Sequence, residues 1–384
     1  MDASDGWHVQ PFCPQSANIG NTGVGQVTRT EFRSRVFKVA ATYVGTVVGA
    51  GFASGQETLR FFASYGRAGL VGIGLATLLF CLYGGLVMEL GRLLGARSHR
   101  EILHEVCGPW LGRIMDGVIT LFLGATLTVM IAGGGAIFAE QIGLSRSIGV
   151  LLTAGFTGVT ILAGMRGIMA ANAVVVPVLT VAVLGLAAAS IDFHGLQAML
   201  LKTLPWPTLA PVKSWFVATW LYVAYNLVLS VSVLGPLGAE VGEMRVLRWG
   251  AVIGGLALGV LGIGIKLAVT AHMPEIGRYE VPMLFLARIH ARPVQWFYAL
   301  ALWAEIYTTA IACAYGFATR AAAVLGASYR GVVVLVVAMA LLGSGLGFSN
   351  LLSVLYPLFG FVTLVVLACL SVFALRKIAK GRAA

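Results

Sequence analysis

Residues 48–57 read VGAGFASGQE, in the middle of an apolar run that extends from about 36 to 64. Gly49, Gly51 and Gly55 crowd into this stretch beside Ser54, Gln56 and the ionisable Glu57. Glycine weakens a helix and leaves the backbone accessible. Inside a bilayer, backbone freed from a helix survives only where protein or a water-filled cavity surrounds it. A helix interrupted here aims the N–H groups of residues 50–54, those of Ala50 and Gly51 among them, at a ligand anion. The same glycines also suit close packing between membrane helices, so both readings stand on the local sequence alone.

The rest of the chain places this stretch in a membrane. Of 384 residues, 59% are hydrophobic and 11% charged, less than half the charge that a soluble domain carries. Ten apolar runs are long enough to cross a hydrocarbon core as helices: roughly 36–64, 69–94, 114–141, 147–165, 169–191, 214–237, 246–272, 295–325, 331–348 and 351–375. They are continuous rather than alternating, which excludes a barrel of strands. Residues 1–34 are polar, lack the apolar core of a signal peptide and are expected to form a disordered tail, with a transmembrane domain over 35–376 and a cytoplasmic tail over 377–384. With the N-terminus inside, 17 of the 26 Lys and Arg fall on the inner side and 8 on the outer, Lys266 lying within a span. That bias predicts both termini in the cytoplasm, in a multi-pass protein of the cell membrane. The net charge of +11 follows from this distribution and does not call for nucleic acid. The five cysteines (Cys13, Cys81, Cys107, Cys313, Cys369) show no metal-binding spacing and read as small buried apolar residues.

Ten spans divide as five plus five, and an odd number per half makes any repeat inverted in topology. The halves expected are 35–191 and 214–376. Span 6, YNLVLSVSVLGPLGAE, sets Tyr225, Asn226, Ser230 and Ser232, a turn below Tyr222, ahead of Gly235-Pro236. The proline removes a backbone donor, and interruptions at matching places in two halves mark a binding site. The fold class expected is therefore all-α and polytopic, with discontinuous helices 1 and 6. Span 8 carries Glu305, Thr308 and Thr309 on one helix face, hard oxygen ligands of the kind an alkali cation needs, although such threonines also serve their own i−4 carbonyls. Charges within the membrane are costly. Glu57, Glu305 and Lys266 are the proton-coupling candidates. Glu140 and Glu89 lie nearer span ends.

On VGAGFASGQE the chain resembles the YkvI-like bacterial membrane proteins. Its span count and broken-helix motifs resemble the wider amino acid-polyamine-organocation superfamily with the LeuT-type fold, over roughly 36–376. That resemblance implies inverted repeats, spans 1 and 6 unwound at mid-membrane, and solute held between spans 1, 3, 6 and 8. It also implies a sodium site between carbonyls of span 1 and two hydroxyls of span 8. Gly45, Val48, Gly49 and Gly51 match the first half of that pattern, and Glu305, Thr308 and Thr309 the second. The carbonyl-donor position is usually a small residue, and here it is Glu305, whose carboxylate suits direct cation binding or a proton.

The function expected from these features is cation-coupled symport, with Na+ or H+, of an amino acid or related small solute by alternating access. The solute's carboxylate would meet the amides around Gly49, Ala50, Gly51 and Ser54, with Gln56 alongside. Its amine would meet freed carbonyls near residues 225–230, with Tyr222, Tyr225, Asn226 and Ser230 as the binding residues, and Gly134 in span 3 would leave it room. The partners are then the solute and the lipid bilayer. No cofactor is expected beyond Na+ as the coupling ion at Gly45, Val48, Glu305, Thr308 and Thr309. An ion channel or a solute sensor on the same fold is the alternative. No Ser/His/Asp set, HExxH motif or Walker-type GxxxxGK[ST] occurs, which speaks against an enzyme and against ATP-driven transport.

Overall fold

A computed structural model describes residues 29–96, 98–163, 168–190 and 209–382. These residues form thirteen α-helices and no strand. The first span is α1 (Arg29–Val47), α2 (Ala50–Ala53) and α3 (Gln56–Phe61). Then come α4 (Ala68–Leu94), α5 (His99–Ile137), α6 (Arg146–Ala163) and α7 (Ile168–Ser190). The second half holds α8 (Trp215–Val241), α9 (Met244–Ala271), the short α10 (Pro282–His290), α11 (Arg292–Leu325), α12 (Tyr329–Ser344) and α13 (Phe348–Arg382). Six of the described helical segments are long and apolar enough to cross a membrane by length and composition.

Local chemistry sets several boundaries. Ser98 opens α5 with a capping box, its hydroxyl accepting from the Arg100 amide (3.3 Å) while Glu101 accepts from the Ser98 amide (2.8 Å), which satisfies amides left over at a helix start. Pro282 and Pro293 sit in the first turns of α10 and α11, where a missing N–H is harmless. At the centre α4 packs against α8 backbone to backbone. A methyl on Gly91 would strike the Gly235 carbonyl, and one on Gly238 would strike the Met88 carbonyl. Dispersion contacts of this kind hold membrane helices together, because lipid supplies little hydrophobic drive between them. The outward faces are lined by exposed apolar side chains such as Val71, Leu78 and Leu82 of α4.

Three expectations need correction. The chain is already helical at Arg29, not disordered to residue 34. Arg35 ties these first turns to the α8–α9 junction through Glu243 (2.8 Å) and the Val241 carbonyl (3.0 Å), while residues 1–28 lie outside the described residues. The C-terminal tail expected from 377 is a continuation of α13 to Arg382. The interruption expected in span 6 is not there: α8 runs unbroken from Trp215 to Val241, with Pro236 inside it. Its polar residues are served by the helix itself. Asn226 donates from Nδ2 to the Tyr222 carbonyl (3.0 Å), and Ser230 donates to the Asn226 carbonyl (2.8 Å). Pro236 comes in the last two turns, close to where the helix ends at Gly242.

Candidate functional site

The interruption of span 1 is real and falls at the glycines. α1 closes with the Val48 amide on the Val44 carbonyl (2.8 Å), and the Gly49 amide then folds back onto Val47 (2.9 Å). Gly49 is extended (φ −101°, ψ −175°), and Gly55, at φ 82°, makes the second turn between α2 and α3, a conformation that L side chains avoid. Among the described residues, the carbonyls of Gly45, Thr46 and Val48 and the amides of Ala50, Gly51 and Phe52 have no hydrogen-bond partner. Val48, Ala50, Gly51 and Phe52 are buried, where unpaired backbone groups are rare, whereas Gly45 and Thr46 are half-buried.

Neighbours pin the upper part of the break. Tyr298 of α11 donates to the Ala53 carbonyl (2.6 Å), and the Met283 amide of α10 donates to the Ser54 carbonyl (3.0 Å). The Ser54 hydroxyl is used locally, donating to the Gly51 carbonyl (2.8 Å) and accepting from the Gln56 amide (3.3 Å). Gln56 points to the loop above, bonding the Tyr279 carbonyl (2.9 Å) and accepting from Arg60 (3.2 Å). Gly134 packs against Thr153 of α6, where a methyl would collide with the hydroxyl; its role in the fold is helix approach.

Two carboxylates border the break. Glu57, 3% exposed, accepts from the Tyr225 hydroxyl of α8 (2.7 Å). Its carboxylate presses on Gly51 so closely that a methyl there would overlap it. Around Tyr225 stand Tyr222 (ring centroids 5.7 Å), Phe61 (5.7 Å), Phe122 (6.3 Å) and Tyr356 (4.9 Å). Glu305, also 3% exposed, lies two turns along α11 from Tyr298, and that helix packs on α2. Its Oε1 accepts a long bond from Thr309 (3.4 Å), while the Thr308 hydroxyl serves the Glu305 carbonyl (3.1 Å). Its Oε2 is buried with no partner. Neither glutamate has an ion pair among the described residues. Lys266 of α9 is buried too but meets neither. No hydrogen bond joins Gly45 or Val48 to Glu305, Thr308 or Thr309, so the two halves of the expected cation site are not linked directly. The oxygen-only donor set and the orphaned Oε2 fit a hard monovalent cation or a proton.

A polar cluster ties helices together at each end of the bundle. At one end, Glu280 gathers Arg146 and the Phe348 amide (3.1 Å) on its carboxylate, and its own amide goes to Glu140 (2.8 Å). Arg60 bonds the Ser349 hydroxyl (2.7 Å) beside them. At the other end, Asp116 of α5, 3% exposed, pairs with Arg320 and with His99 (3.1 Å). Sequence reasoning missed both clusters. Asp116, an acid within the apolar run of span 3, was a legible signal for the second; nothing local marks Glu280.

Solved structures share this fold at low identity. MhsT in complex with L-phenylalanine superposes with a TM-score of 0.59 at 16% identity, over 85% of this chain and 87% of that one. An Eremococcus coleocola manganese transporter follows at 0.56 and 13%, over 84% and 72%, and inward-facing Mhp1 at 0.55 and 14%, over 85% and 73%. The chain is thus a polytopic α-helical membrane protein of the LeuT-type fold. No protein-family model matches it. It belongs to the family of the uncharacterized membrane protein YkvI of Bacillus subtilis (strain 168), with 32% identity over 333 residues, 87% of this chain and 94% of YkvI. YyaD of the same organism is 28% identical over 337 residues, 86% of this chain and 94% of YyaD.

Proposed function

We propose that the chain is a secondary active transporter that couples a cation, Na+ or H+, to the movement of a small organic solute, an amino acid or a relative, by alternating access. The observation that carries this reading is the pair Glu57 and Glu305. Two carboxylates are buried beside an interrupted helix, and among the described residues no cation pairs with them. Buried charge at membrane depth is expensive unless something pairs with it, so a site of this kind is built for a positive partner that comes and goes. The shared fold of the solved transporters supports the same reading. The Glu280 end is then the outer closure and the Asp116 end the cytoplasmic one, in keeping with the basic-residue bias and with two inverted halves, 35–191 and 214–376.

The cation would sit at Glu305, Thr308 and Thr309, with the carbonyls of Gly45 and Val48 opposite. Its differential affinity for the two closures couples the steps, since a ligand shifts an equilibrium only by binding one state better. The orphaned Glu305 Oε2 favours a second version, in which that oxygen carries a proton instead of facing Na+. Uptake into proteoliposomes under an imposed Na+ or proton gradient tests the reading, with Thr309→Ala as the variant. The expected result is gradient-driven uptake, reduced about tenfold by Thr309→Ala if Na+ is the ion and unchanged by it if the proton is. Uptake that ignores both gradients would falsify the proposal.

A further inference from the structure

The place where a solute's carboxylate would meet the span 1 break is already filled. Glu57 sits two residues beyond the second turn, and its carboxylate lies against Gly51, in the stretch whose amides have no protein acceptor. Oε2 takes the Tyr225 hydroxyl (2.7 Å), and the Asn226 side chain lends the carboxylate a second hydrogen bond. The protein therefore supplies its own anion at the break. A second carboxylate brought beside it would meet a like charge in a low-dielectric interior, where repulsion is far stronger than in water.

What the site lacks is a cation. Arg60, one turn further along α3, is turned away to Gln56 and Ser349, and no lysine or arginine pairs with Glu57 among the described residues. The hydroxyl that bonds the carboxylate belongs to an aromatic cluster, and Asn226 is the other polar neighbour. Tyr225 is ringed by Tyr222, Phe61, Phe122 and Tyr356 at centroid separations of 4.9–6.3 Å. A carboxylate set among aromatic rings is the chemistry that recognises an ammonium ion: the charge pairs with the acid, and the rings' electron-rich faces hold the cation and its carbon substituents.

We propose that the solute taken at the span 1 break is an organic ammonium ion without a carboxylate, its nitrogen held by Glu57 and its carbon chain by these rings. This rests on the transporter reading and narrows its substrate from amino acids to amines. Glu57 takes the part that a solute's own carboxylate would otherwise play at the interrupted helix, and Glu305 is left for the coupling cation.

Thermal shift of the purified full-length protein tests it with matched pairs at equal concentration: phenethylamine and phenylalanine, isoamylamine and leucine, putrescine and ornithine. A ligand that binds the folded state raises its melting temperature. At least one amine is expected to stabilise the protein with an affinity tenfold or more above that of its amino acid. Glu57→Gln should melt no lower than the parent without ligand, since it removes a buried charge, and should lose the amine response. If Glu57→Gln does not fold, Tyr225→Phe, which deletes one hydroxyl and keeps the ring, is read instead and should weaken amine binding about threefold to tenfold. An amino acid that binds as tightly as its amine, no response to any of the three amines, or an unchanged amine affinity in the variant that folds each overturns the proposal. The two readings fail separately. Gradient-driven uptake of leucine without any amine response sinks this inference and leaves the transporter standing. Amine binding with uptake indifferent to both gradients does the reverse.

Discussion

Loss of the Glu280 carboxylate should open its end of the molecule, by an amount that the contacts allow to be worked out. Glu280 holds Arg146, the first residue of α6, and the Phe348 amide at the start of α13, and its own amide is tied to Glu140. Glu280→Gln keeps the shape, removes the charge, and leaves an amide donor facing either the guanidinium or the Phe348 N–H. The Arg146 and Glu280 side chains are 37% and 23% exposed, so the ion pair counts as a screened one, about 0.5–1 kcal/mol. The charge-assisted bond to Phe348 adds about 1.5 kcal/mol, the low end for a bond to a charged group. A total of about 2 kcal/mol multiplies the open-to-closed ratio about thirtyfold. With an open state starting near ~1%, the variant is open in about a quarter of molecules. The reporter is Ile137→Cys, 3% exposed in the last turn of α5 before the π-turn at Phe138–Ile142, in a background without the native cysteines. Maleimide alkylation of the detergent-solubilised protein should accelerate roughly twentyfold in Glu280→Gln. Glu275→Gln, an exposed acid on the same connection, should change nothing. Equal alkylation rates in the two variants, with both still folded, would show that the Glu280 contacts do not hold the closure.

Gly51→Ala places a methyl on the Glu57 carboxylate and should cost about 1–3 kcal/mol of stability as overpacking, read as a lowered melting temperature; a neutral substitution would mean that the carboxylate is free to move aside. Pro236→Ala should raise stability by about 1 kcal/mol or leave it unchanged, because alanine is the better helix former and α8 is already continuous. Uptake should survive it, and a variant that is stable but fails to transport would restore a functional hinge at Gly235-Pro236.

The contrast between spans 1 and 6 shows what the sequence could and could not decide. Both spans join small residues to polar ones near the middle of the membrane, and both read as broken. A polar side chain in a membrane helix has two outlets: it can bond a carbonyl one turn back, or mark a place where the helix has opened. Asn226 and Ser230 take the first outlet, with their bonds to Tyr222 and Asn226, and α8 stays whole. Nothing in their residue types reveals that choice. At 48–57 the first outlet is largely closed, because Gly49, Gly51 and Gly55 have no side chain to bond anything. Gly55 takes a positive φ that other residues resist. The break in span 1 was therefore legible, and the continuity of span 6 was not.

The individual roles inside the site were harder to read, because they depend on helix rotation. Ser54 and Gln56 look like ligand groups in sequence, yet one bonds its own turn and the other faces the loop carrying Tyr279. Gly134 looks like room for a solute and is instead the seat of Thr153. Glu57 and Glu305 survive this sorting for a reason that does not depend on rotation. A carboxylate within a membrane span is costly wherever it points, so its presence already implies a partner, and only the partner's identity waits for the structure. At Asp116 the partners are Arg320 and His99, within the chain. At Glu57 and Glu305 no described cation fills that place, which is why the proposed function assigns these two a partner that arrives from outside.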